Sequence, residues 1–235
     1  MKVIKKFLMK VKGYREGNIL TVKDASKAKM QLLLGDRKDS KGRISDMIKK
    51  GRSDVFVYYS GHGIPGMKEG KGYLVPIDAS PDKPNLTCYS LETFFLNLKK
   101  LKAKHITVVI DACFSGMSPR NKMLIKDASP AMLKTSKTLP SGTEELTLFT
   151  ASQPDEIASW NNKANLSLFT SYWIKGLVGN ADKDRFGDEN GVITIKELKR
   201  YLKEKVTYEA RKRYGRSQHP QVKYDKNKSL IRLSD

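Results

Sequence analysis

Two side chains in this sequence have the chemistry for catalysis, and each follows an apolar run that reads as a buried strand. In "DVFVYYSGHG" (54–63) the run ends at His62, held between Gly61 and Gly63. In "HITVVIDACFSG" (105–116) it ends at Cys113. Imidazole is the side chain most readily set to exchange protons near neutral pH, and a thiolate is a strong nucleophile. A thiol on a tight turn after a strand can face a crevice, where a histidine from a neighbouring strand raises its thiolate fraction. Gly63 would leave a backbone N–H facing a developing oxyanion, and the Cys113 N–H could supply the second donor. Each residue alone has an ordinary reading, as a turn histidine and as a small buried hydrophobe. The pair is more telling, because open parallel sheets form their sites at the carboxyl ends of strands.

Such a pair needs strands alternating with helices, and the rest of the chain supplies them. Residues 3–13 carry Val3, Ile4, Phe7, Leu8 and Val11 at helical spacing and stop at Gly13. "NILTV" (18–22) predicts a short strand, "DASKAKMQLLLG" (24–35) a capped helix and "GRISDMIKKG" (42–51) another helix. "YLVPID" (73–78) reads as a short strand and "SLETFFLNLKKL" (90–101) as a helix with Ser90 as its cap. Beyond Cys113, "ELTLFTAS" (145–152) is a strand, and 167–179 and 194–215 are helices. The tail 219–233 ends in a short strand. Residues 117–145 lack periodicity and read as a long surface loop. Together these elements predict one domain over 1–235, a three-layer α/β/α sandwich around a mainly parallel sheet.

Composition narrows the function classes. Over 235 residues, 45 Lys and Arg stand against 25 Asp and Glu, a net charge of +20. That balance attracts anionic partners. The lysines are spread along the chain, however, and no nucleic-acid motif or aromatic-basic cluster accompanies them. Two cysteines, Cys88 and Cys113, without a C-x-x-C pair argue against a disulfide framework and a cysteine-rich zinc site, and for a reducing, cytoplasmic setting. "MKVIKKFLMK" is interrupted by lysines before a signal-peptide core forms. No stretch approaches the eighteen or so apolar residues of a membrane span.

"YYSGHG" followed some fifty residues later by "DACFSG" resembles the caspase-like clan of cysteine peptidases, in particular metacaspases and their prokaryotic relatives. "GYLVPIDA", "TASQPDEIASW", "LFTSYWIKGL" and "HPQV" extend the resemblance over nearly the whole chain. It implies a caspase-like fold, His62 as general acid/base, Cys113 as nucleophile, and the N–H groups of Gly63 and Cys113 as the oxyanion hole. It also implies that Asp111 lines the S1 pocket with Ser60 beside it. A carboxylate there would favour Lys or Arg by charge-assisted pairing; an aspartate at a strand end is otherwise a structural cap. "IDAC" lacks the glutamine of animal caspases, so basic P1 specificity is expected.

The match has two departures. Phe114 stands where metacaspases usually have histidine. The family's first strand, which precedes the first helix, has no counterpart, so an incomplete N-terminus or a strand supplied from elsewhere is expected. The resemblance further implies protein or peptide substrates, no required cofactor, and calcium activation as an open question. The 117–145 loop matches the linker that relatives cleave, with Arg120, Lys122, Lys126, Lys134 and Lys137 as candidate sites. The rival functions are a catalytically silent scaffold and a basic nucleic-acid binder.

Other motifs are weaker. In "DKDRFGDENGVITIKEL" (182–198), Asp188, Asn190, Gly191, Ile193 and Glu197 fit positions three, five, six, eight and twelve of an EF-hand loop. Position one falls on Phe186, which cannot ligate, so the stretch reads as a loop-to-helix turn and no metal is assigned. "GMKEGKG" (66–72) misses the phosphate-loop spacing. His105 and His219 read as structural.

Overall fold

The computed structural model describes residues 2–65, 72–80, 83–114, 146–161, 166–224 and 229–232. The first half of the chain supplies α1 (Lys2–Lys10), α2 (Lys27–Leu34), α3 (Arg43–Asp46), β1 (Asp54–Ser60), β2 (Gly63–Pro65) and β3 (Gly72–Leu74). It continues with α4 (Pro84–Thr87), β4 (Tyr89–Ser90) and α5 (Leu91–Lys100). Then follow β5 (His105–Asp111), β6 (Thr147–Thr150), β7 (Trp160–Asn161), β8 (Leu166–Ser167) and α6 (Leu168–Leu177). The last elements are β9 (Val192–Thr194), α7 (Ile195–Tyr214), β10 (Gln221–Lys223) and β11 (Ser229–Arg232).

The main sheet has the order β1-β5-β6-β10. β1, β5 and β6 run parallel and β10 is antiparallel to β6. Strands buried on both faces need apolar side chains on both, and β5 shows the alternation. Ile106, Val108 and Ile110 pack with Phe94, Phe95 and Leu98 of α5 and Met30 of α2. Val109 faces the other way, where α1, α6 and α7 bring Phe7, Leu8, Phe169, Trp173, Leu198 and Leu202. The result is the mixed α/β sandwich expected, with a helix layer on each face.

Helix ends follow local chemistry. Ser26 accepts the Lys29 N–H at 3.2 Å and Ser167 accepts the Thr170 N–H at 2.9 Å. Thr194 and Glu197 form a reciprocal capping box at the start of α7, and Gly215 ends that helix in the left-handed region at φ 62°. Ser90 stands at the N-cap of α5 but its side chain makes no capping bond.

Four expected elements differ. Residues 18–22 form no strand: Ile19 is extended (φ −113°, ψ 108°), but it packs its side chain on the α6–α7 cluster without a ladder partner. Residues 42–51 give only the single turn α3, and Gly51 at φ 67° turns the chain toward β1. The 73–78 strand stops at Leu74 within a small antiparallel sheet, β2-β3-β4, because Pro76 has no N–H to extend a ladder. The tail strand is two: β10 on the main sheet and β11 against β9. Among the described residues β1 pairs on one side only, and the first strand that the resemblance implies is not among them. The 117–145 loop and most of 66–72 lie outside the described residues.

Trp173 joins three elements to α6. Its ring meets Phe7 of α1 at 5.3 Å, Phe56 of β1 at 5.8 Å and Phe149 of β6 at 6.0 Å, mostly edge to face. Trp173→Ala is expected to cost about 3–5 kcal/mol, the range for a large aromatic truncated in a core. Urea unfolding monitored by circular dichroism measures it, and a loss under about 1 kcal/mol, the scale of an exposed site, would contradict the packing role.

Candidate active site

The register of β1 on β5 brings the two chemical residues to one place. Ser60 lies opposite Asp111, and just beyond, the Gly61 N–H donates to the Asp111 carbonyl at 3.2 Å. His62 and Cys113 are each two residues past that last pair, so both leave the same carboxyl edge on adjacent strands. The turns carrying them touch. A Cβ placed on Gly63 would lie 2.5 Å from the Phe114 ring and 2.8 Å from the Cys113 carbonyl oxygen, a distance only glycine accommodates. The His62 carbonyl is fixed from two sides, accepting from the Tyr59 hydroxyl at 2.8 Å and from the Val75 N–H at 3.0 Å.

His62 is exposed at the end of this edge, yet partial burial of its ring holds the pKa below the ordinary imidazole value. The ring is therefore neutral at pH 7 and able to take a proton. Cys113 is only 3% exposed and lies in the α6–α7 cluster with Val109 and Phe149. Cys88 is also buried, in a separate small cluster with Ile64, and burial pushes its thiol pKa up. The two form no disulfide.

Asp111 points to the α6 face and is buried. Ser167 and Thr170 each donate a hydroxyl to its Oδ2 at 2.5 Å, and Tyr58 donates at 3.2 Å. Desolvation nonetheless raises its pKa, the three hydroxyls opposing the shift only in part. Tyr58, half-buried, is pushed well above the usual phenol range, first by desolvation and then by the Asp111 charge. Ser60 is exposed at the end of β1. Tyr58, Ser167 and Thr170 are partners of the candidate site residue Asp111 that sequence reasoning missed. Their signal was the i, i+3 spacing of Ser167 and Thr170 at a helix start, which also fits a simple cap.

The other two histidines are tied to structure. His105 Nδ1 lies 2.7 Å from Asp54 Oδ1, and His219 Nδ1 contacts Glu156. Beside it the buried Gln218 accepts the Ser159 N–H at 2.9 Å and donates to the Ala151 carbonyl at 3.0 Å. "HPQV" is thus part of a strap holding residues 151–159.

A family model described as the caspase domain matches residues 2–231. The chain belongs to the caspase-domain family. Membership supports a caspase-like cysteine peptidase in general, a class whose substrates are proteins. No curated protein matches this caspase-domain chain. Among the described residues no helix is long and apolar enough to cross a membrane.

The raised Asp111 pKa has a consequence for stability. With a folded-state pKa above the unfolded one, the native protein binds more protons between the two values, so stability falls as pH rises through that window. Asp111→Asn cannot ionise and loses this slope. Relative to wild type, its unfolding free energy is expected to rise from the ordinary carboxyl pKa of 3.8 upward toward neutrality. Urea titrations across that range check it; parallel pH curves for the two proteins would contradict the burial of an ionising carboxyl.

Proposed function

We propose that this caspase-domain protein is a cysteine endopeptidase of the metacaspase type, acting through a Cys113–His62 dyad and cleaving after Lys or Arg. The observation that carries the reading is the β1/β5 register, with Gly63 packed against the Cys113 carbonyl. His62 takes the Cys113 proton, the thiolate attacks the scissile carbonyl, and the N–H groups of Gly63 and Cys113 receive the oxyanion. His62 then protonates the leaving amine, and water attacking the acyl-enzyme returns the thiol.

Basic specificity is supported by Asp111 and Ser60 at the neighbouring strand ends. A cationic P1 side chain above Asp111 favours the ionised carboxylate against its desolvation. That preference would make Arg120, Lys122, Lys126, Lys134 and Lys137 sites for self-cleavage. The reading requires no cofactor and places the protein in the reducing cytoplasm. A second reading, a catalytically silent scaffold, draws on the 3% exposure of Cys113, since a nucleophile must meet its substrate.

Fluorogenic peptides with Lys, Arg or Asp at P1 separate the two. Lys and Arg peptides are expected to be cleaved, with kcat/KM rising through a pKa below the ordinary imidazole value as His62 deprotonates. Cys113→Ala and His62→Ala should each lose roughly 10³-fold or more, while Cys88→Ala keeps activity. No thiol-dependent cleavage would support the scaffold, and preference for Asp would contradict the pocket assignment.

A further inference from the structure

The loop joining α6 to α7 gathers three carboxylates that the peptidase site does not use. Asp182, at the end of a 3-10 turn over Asn180–Asp182, is 3% exposed. Its Oδ2 accepts the Gly191 N–H at 2.9 Å, while its Oδ1 is buried with no hydrogen-bond partner among the described residues. One carboxylate oxygen from each of Asp182, Asp188 and Glu197 lies within 4.8 Å of the other two. A buried carboxylate oxygen without a partner is costly, and three like charges this close repel. Arg185, on the same loop, is engaged elsewhere, with Glu204. A divalent cation would resolve both difficulties.

We propose that Asp182, Asp188 and Glu197 bind a calcium ion. The donor set is all carboxylate oxygen, which suits a hard cation, and calcium tolerates the irregular geometry of a loop better than magnesium. The EF-hand register of the sequence fails at Phe186 because that side chain belongs to the core, 3% exposed with its ring 5.1 Å from that of Tyr201. Asp182, four residues upstream, arrives in its place. The loop closes around it tightly: a Cβ on Gly187 would lie 2.4 Å from the Asp182 Cα, and the Asp182 carbonyl accepts the Glu189 N–H at 2.9 Å. Glu197 meanwhile caps α7, its Oε2 accepting the Thr194 N–H at 2.7 Å. The ion therefore joins the turn after α6 to the first turn of α7. It braces the helix layer whose Ser167 and Thr170 hold Asp111.

Calcium titration of chelator-treated Cys113→Ala protein, by calorimetry and thermal unfolding, tests the site. Saturable binding of one ion per chain is expected, with a melting temperature that rises with occupancy. Asp188→Asn, at an exposed position, should fold normally and bind at least about tenfold more weakly, as one ligand charge is removed. Asp182→Asn should do the same, and if it fails to fold the Asp188 variant decides. No binding up to about 10 mM, beyond the weakest calcium modules, would overturn the proposal. So would unchanged affinity in Asp188→Asn, or tighter binding of magnesium than of calcium. The readout is binding to a protein without the thiol, so it stands apart from the peptidase reading.

Discussion

The seven-residue parallel register of β1 on β5 is the constraint on which the rest depends. Parallel pairing makes both strands run out at the same edge, so whatever follows one must lie beside whatever follows the other. A one-residue slip would reverse the facing of every β1 side chain. It would turn Tyr58 away from Asp111, and Phe56 away from Trp173. Register, core packing and site geometry are thus one arrangement, fixed by apolar side chains whose only requirement is to be buried.

Asp111 shows how closely the core and the site are joined. It continues the alternation of β5 on the face where Thr107 and Val109 precede it, so the sheet delivers a carboxylate into an apolar layer. Ser167 and Thr170 of α6, with Tyr58 of β1, supply the hydroxyls that make this tolerable. Ser167 has two tasks, capping α6 through the Thr170 N–H and donating to Asp111. The helix start and the carboxylate therefore position each other, and through Trp173 the same helix is packed on α1, β1 and β6.

His62 and Cys113 were legible in the sequence because strand-sized apolar runs announce where they end. The helices were legible where period and caps agreed, as in α7 with Thr194 and Glu197. Residues 18–22 misled because strand propensity describes a side-chain pattern, while a strand also needs a backbone partner. The Ser167, Thr170 and Tyr58 hydroxyls were hidden because their convergence depends on which faces of a helix and a strand meet. The approach of Asp182 to Asp188 and Glu197 was hidden because a fixed twelve-residue register cannot see a loop that brings in a residue from four positions earlier.

Active-site labelling addresses the pairing of His62 with Cys113 most directly. A peptidyl-lysine chloromethyl ketone, incubated at low concentration with the intact protein and mapped by mass spectrometry, forms a thioether fastest where a thiolate and a substrate-binding cleft coincide. The dyad predicts one adduct per chain, on Cys113, lost in His62→Ala and absent from Cys88. Labelling of Cys88 alone, or of Cys113 at an unchanged rate in His62→Ala, would contradict it.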